Sequence, residues 1–117
     1  MYSDFLYKFS CLNFFPERPT AVTNCSGTIT LNEGDDLTCL CNHTGGNPPP
    51  AAILSKGDSV LVTGYLKAYL VLKNVMSNEN AGTYKCLVKS HNLEDDKTFK
   101  LVVQCKYCNN HTCTIYI

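Results

Sequence analysis

The sequence predicts an all-β domain built as a sandwich of about seven strands. Three observations predict it. Short segments rich in β-branched and aromatic residues alternate apolar with polar positions, and Gly, Pro and Asn clusters separate them at sandwich-like intervals. No segment holds a helical period over ten residues. The stretch Asn78–Cys86, "NENAGTYKC", sets Gly82, Tyr84 and Cys86 at two-residue steps, so a strand there turns Tyr84 and Cys86 to one core face.

The elements follow in order. "TAVTNCSGTITL" is β-branched and alternates loosely, and "NEG" at 32–34 turns it. "DDLTCLCN" places Leu37, Cys39 and Cys41 on one face and is read as ending near Cys41. A turn centred near Glu33 sets Cys25 opposite position 41 and diagonal to Cys39. "TGGNPPP" is a loop, because proline removes donors and disfavours helical geometry before it. "AAILS" and "SVLVT" are strands joined by the turn "KGD". "AYLVLKNV" turns Leu70 and Leu72 inward, with Val75 closing the set. "SNENAG" is a polar turn, and Gly82 marks the start of the strand "TYKCLVKS". A buried Tyr84 needs a partner for its hydroxyl, and backbone near Asn80 lies within reach. "HNLEDD" reads as a hairpin turn into "KTFKLVVQ", with Phe99, Leu101 and Val103 on one face.

The set Gly34-x-x-Leu37-x-Cys39-x-Cys41, "GNPPP", Leu70-x-Leu72-x-x-Val75 and Asn80-x-Gly82-x-Tyr84-x-Cys86 resembles an immunoglobulin domain. The resemblance covers about three-quarters of the chain. It implies a Greek-key sandwich, a bridge between Cys41 and Cys86, and a tyrosine corner formed by Asn80, Gly82 and Tyr84. The interval between the two cysteines has room for about three strands, which points to the intermediate or C2 type of adhesion molecules and receptors. Two positions depart from the pattern. The chain has no tryptophan, and Leu54 stands where the family packs one on the disulfide, with Ile53 as the other candidate. Asn80 replaces the usual aspartate, so the usual salt bridge there is lost.

Eight cysteines in 117 residues fit either disulfides in an oxidising compartment or metal ligands in a reducing one. Three sequons, at Asn24, Asn42 and Asn110, favour secretion and glycosylation. Cys39 either bridges to Cys25 or is a buried thiol, and the bridge is the preferred reading. Cys11, Cys105, Cys108 and Cys113 lie outside the sandwich. The tail order C-x2-C-x2-H-x-C, with His111, matches no compact zinc module, so no metal and no cofactor is expected. The chain divides into an unassigned segment 1–17, a domain 18–104 and a Cys-rich tail 105–117. The tail is read as the start of a further domain or the edge of an imperfect gene model. The segment "MYSDFLYKFSCLNFF" interrupts its apolar run with Asp4 and Lys8 and makes a poor signal peptide.

Ten basic and ten acidic residues cancel, which gives no bulk attraction to nucleic acid. The longest apolar run, Ala68 to Leu72, cannot span a membrane. His43 and His91 lack a nucleophile or carboxylate partner in the pattern and read as exposed loop histidines, so catalysis is not expected. "NLEDD" lacks a calcium-loop spacing. The expected function is extracellular protein recognition, homophilic or heterophilic, beside neighbouring domains of the same kind. One candidate surface is a loop cluster with Gly46, Asn47, His91, Asn92 and Glu94; the other is a sheet face with Lys85, Leu87, Lys89 and Lys100. A glycan at Asn42 is expected beside the loop cluster. A structural spacer is the alternative, and an intracellular Cys-rich metal or redox protein a distant one.

Overall fold

A computed structural model of the chain describes residues 15–105. Its strands are β1 (Glu17–Thr23), β2 (Gly27–Asn32), β3 (Leu37–Asn47), β4 (Ala51–Lys56), β5 (Ser59–Tyr65), β6 (Ala68–Leu72), β7 (Gly82–Ser90) and β8 (Leu93–Gln104). One helical turn, α1 (Ser77–Asn80), sits inside the polar segment before β7. The strands form two sheets, ordered β1-β3-β6 and β2-β8-β7-β4-β5. Three strands, β4 to β6, fill the interval between Cys41 and Cys86.

The first expected strand is two strands in opposite sheets. β1 runs antiparallel to β3, from Glu17 opposite Asn47 to Thr23 opposite Cys41. The chain then crosses at Gly27, whose φ of 67° lies in the left-handed region that glycine enters without a Cβ penalty. β2 continues parallel to β8, from Gly27 opposite Phe99 to Asn32 opposite Gln104. The hairpin centred on Glu33 therefore does not form. The apolar positions Ile29 and Leu31 explain the switch, since they pack half-buried against the core instead of facing solvent.

The turn after β2 is held at several points. Asp35 accepts from Asn32 N through its carboxylate at 2.9 Å, and its own N–H returns to Asn32 O at 3.0 Å. Gly34 N donates to Val75 O and Val75 N to Asp35 O, each at 2.9 Å. These bonds tie the turn to the segment that follows β6.

Two sequence boundaries need correction. β3 does not end near Cys41 but continues through "HTGGN" to Asn47, because β1 pairs with it from Cys41 to Asn47. The hairpin turn between β7 and β8 is only His91–Asn92; Ser90 pairs with Leu93, so "LEDD" belongs to β8.

The core lies between the sheets. Cys39, Cys41 and Leu70 face it from the smaller sheet, and Leu54, Tyr84, Cys86, Val88, Phe99 and Leu101 from the larger, with Val75 closing one end. The rings of Tyr84 and Phe99 stack at 5.0 Å between centroids, 5° from parallel.

Candidate interaction surface

Two disulfides link core residues of the domain that carries the candidate surfaces. Cys41 and Cys86 are bonded across the core, with Cα atoms 5.4 Å apart. Leu54 on β4 sits directly opposite Cys86 on β7 and is fully buried. It occupies the place beside the bridge that the sequence reading gave it. The Tyr84 hydroxyl donates to Asn80 O at 2.5 Å, and burial pushes its phenol above the usual value of 10.0. Lys56 completes the corner: Nζ donates to Glu79 O at 2.7 Å and lies 5.6 Å from the Tyr84 ring centre. Gly82 leaves room for this lysine, since a Cβ there would meet Lys56 Cε at 2.9 Å. The lysine thus bonds a backbone carbonyl one residue before Asn80.

Cys25 and Cys39 are also bonded, with Cα atoms 5.7 Å apart. The ladder that pairs Thr23 with Cys41 brings positions 25 and 39 face to face when carried two residues further. The crossing between sheets thus begins at a covalent anchor. Cys105 is disulfide-bonded as well. Cys11, Cys108, Cys113, Asn110 and His111 lie outside the described residues.

At one end of the sandwich the β3–β4 and β7–β8 connections meet, joined by a hydrogen bond from Ser90 Oγ to Pro48 O. The five expected contact residues do not form one loop surface there. Gly46 and Asn47 are the last residues of β3 and are half-buried. Gly46 packs on Pro19, where an added Cβ would come within 2.9 Å. Asn47 Nδ2 donates to Phe15 O at 3.0 Å. Glu94 pairs with Lys89 inside the β7–β8 ladder, and its carbonyl accepts from the Arg18 guanidinium at 2.9 Å. His91, at φ 60°, and Asn92 stand exposed at the tip, and Glu94 is exposed beside them on β8.

The outer face of the larger sheet is different. Thr83, Lys85, Leu87 and Lys89 alternate outward on β7, opposite Lys100, Thr98, Asp96 and Glu94 on β8. Leu87 also pairs with Ile53 on β4, and both are half-buried. At the sheet edge, β5 exposes Val60 (62%), Leu61 (42%) and Tyr65 (72%). Leu61 is the unpaired residue of a bulge, since Leu54 faces Val62 while Ser55 faces Val60. Apolar side chains on an open edge strand are unusual, because such edges are generally blunted by charge or proline. Sequence reading selected the β7 and β8 residues and missed those on β5. Alternation alone does not tell an edge strand from a central one.

The smaller sheet turns Val22, Leu40, Asn42, Tyr69 and Val71 outward. Asn42 is mid-strand in β3, opposite Val22, and so lies away from the loop cluster beside which it was expected. Nor is His43 a loop residue. It is a half-buried member of β3, and Nδ1 lies 2.8 Å from Leu66 O, at a turn where Leu66 holds a φ of 73°.

Among the described residues, no group of three or more His, Cys, Asp or Glu side chains converges as a metal site, and no helix is long and apolar enough to cross a membrane. No protein-family model and no curated protein matches the chain. Solved structures do. An immunoglobulin-domain complex of titin and obscurin-like 1 superposes with a TM-score of 0.65 at 18% identity, over 80% of this chain and 100% of that one. A homodimer of the RIG-5 IG1 domain gives 0.61 at 16% identity, over 75% and 99%. Sidekick-1 immunoglobulin domains 1–5 give 0.62 at 18% identity, over 79% of this chain and 21% of that one. The described residues are an immunoglobulin domain in fold. At these identities the likeness carries the fold alone.

Proposed function

We propose that residues 18–104 form an extracellular protein-recognition module of the adhesion or receptor kind, standing in series with similar domains. It binds rather than catalyses, and it engages a protein partner through the outer face of β4, β5 and β7. The observation that carries this reading is the exposure of Val60, Leu61 and Tyr65 on β5 beside the half-buried pair Ile53–Leu87. An apolar strip rimmed by the charges of Lys85, Lys89, Glu94 and Asp96 has the make-up of a protein interface. Tyrosine is enriched among residues that anchor such contacts. Two disulfides support an oxidising compartment.

The test is a binding screen of the secreted chain against cell-surface ectodomains, its own included. Tyr65→Glu and Val60→Glu variants are expected to lose any partner found while melting as the parent does. Undiminished binding by both variants would move the site elsewhere, and His91→Ala with Asn92→Ala then tests the hairpin tip.

A further inference from the structure

Two sequons, Asn24-Cys25-Ser26 and Asn42-His43-Thr44, fall on the same outer face of the smaller sheet, yet their amides are engaged differently. We propose that Asn42 is the N-glycan acceptor of this domain, that Asn24 is a structural amide the fold keeps unmodified, and that the glycan covers the smaller sheet. The inference deepens the proposed function and rests on its extracellular reading.

Asn24 stands where the main-chain ladder between β1 and β3 has stopped. Its side chain continues the ladder. Oδ1 accepts from Leu40 N at 2.8 Å and Nδ2 donates to Thr38 O at 3.4 Å. These two backbone groups flank Cys39 on one edge of β3, so the amide presents its oxygen and the hydrogen syn to that oxygen on one side. Glycan transfer takes an oligosaccharide from a lipid-linked diphosphate. The Nδ2–C1 bond forms, Nδ2 gives up one proton, and the C1–O bond breaks with its electron pair leaving on the diphosphate. The product is a secondary amide, which prefers the trans form. In that form the sugar lies syn to Oδ1 and the remaining hydrogen anti. The sugar therefore replaces the hydrogen that reaches Thr38. Swinging the side chain outward would surrender the Leu40 bond too, and the bridge from Cys25 to Cys39 holds the adjacent backbone against β3.

Asn42 is half-buried where Asn24 is exposed, but its amide is free of this conflict. Oδ1 accepts from His43 N at 2.8 Å, and no hydrogen bond among the described residues uses Nδ2. Thr44, the hydroxyl residue of the sequon, is exposed two positions along the same face. Around Asn42 lie Val22 opposite it, Leu40 two residues back, and Tyr69 opposite Leu40, with Val71 further along β6. Tyr69 and Val71 are half exposed. The C–H faces of pyranose rings stack on such aromatic and aliphatic side chains. A glycan at Asn42 shields this apolar surface and leaves the larger sheet's outer face open to a partner.

The test is to direct the full chain into the secretory pathway with a heterologous leader and to isolate the folded, secreted fraction. Enzymatic release of glycans in heavy-oxygen water then labels every modified asparagine for peptide mass mapping. Asn42 is expected to be labelled in most molecules and Asn24 in few. Ser26→Ala, which removes only the first sequon, is expected to leave the intact mass of the glycan unchanged. Thr44→Ala is expected to remove the domain's glycan and raise binding of an apolar dye. Equal labelling of Asn24 and Asn42, or a bare Asn42, would overturn the assignment. Because the leader imposes the route, this outcome is separate from the compartment reading. That reading fails instead if protein from its natural source has free thiols at Cys41 and Cys86.

Discussion

The phenol of Tyr84 closes onto the main-chain carbonyl of Asn80, four residues upstream, at 2.5 Å. The bond ties the helical turn α1 to the strand that carries half of the Cys41–Cys86 bridge. Removing the hydroxyl by Tyr84→Phe leaves a part-buried carbonyl without its donor. The expected loss is about 1–3 kcal/mol, read as a lower urea midpoint with unchanged slope.

The same phenol has a pH signature. Its folded-state value lies above the 10.0 of the free group because burial disfavours the charged form. Its contribution is fully present below pH 10 and is lost as pH rises through the raised value. The parent is therefore expected to lose stability more steeply than Tyr84→Phe as pH rises above 10.0. Paired urea titrations across that range check this, since the remaining tyrosines and lysines are common to both proteins. Parallel profiles would contradict the assignment.

Leu54 faces Cys86 with no exposed surface, so the core is closed around a leucine. Leu54→Ala is expected to cost about 2–5 kcal/mol through lost contacts and a cavity. Leu54→Trp is expected to cost about 1–3 kcal/mol by overpacking. Thermal melting of both variants is the measurement; a stabilised tryptophan variant would show that the bridge region holds unfilled space.

The two bridges close loops of different length, with separations of 14 and 45 residues. Loop-closure entropy gives about 3 kcal/mol for Cys25–Cys39 and about 4 kcal/mol for Cys41–Cys86. Cys41→Ser with Cys86→Ser is expected to abolish secretion of folded domain. The Cys25→Ser, Cys39→Ser double variant is expected to remain folded with a reduced melting temperature, measured by calorimetry.

Gly64 allows the β5–β6 turn to close. A Cβ there would sit 2.0 Å from Lys67 O, a distance that demands backbone movement. Gly64→Ala is expected to destabilise by about 2 kcal/mol or more and to displace Leu66 from His43. A shift of the His43 imidazole resonances in NMR spectra is the local readout.

Much of the fold was legible because strand periodicity depends on local chemistry. Gly82, Tyr84 and Cys86 alternate in a way that only a strand with one buried face explains, and Leu37, Cys39, Leu70 and Leu101 obey the same rule. Leu54 was found by its offset from family landmarks. The split of the first strand was not legible. "TAVTNCSGTITL" has the same β-branched composition on both sides of Gly27, and composition does not record which sheet a strand joins. The candidate site was read only in part. Lys85, Leu87 and Lys89 follow from alternation on β7, whereas Val60, Leu61 and Tyr65 matter because β5 ends the sheet.

The sequence by itself determined the strand class, the inward residues near both disulfides and the Tyr84 corner, because each rests on residues a few positions apart or on an alternating core pattern. Only the tertiary structure decided that β2 pairs parallel with β8, that β5 is an open apolar edge, and that Asn24 and Asn42 share one face with their amides differently engaged. Those facts depend on which distant backbone groups meet. Pairing between segments 72 residues apart is set by how the whole core closes, and no local stretch encodes it alone.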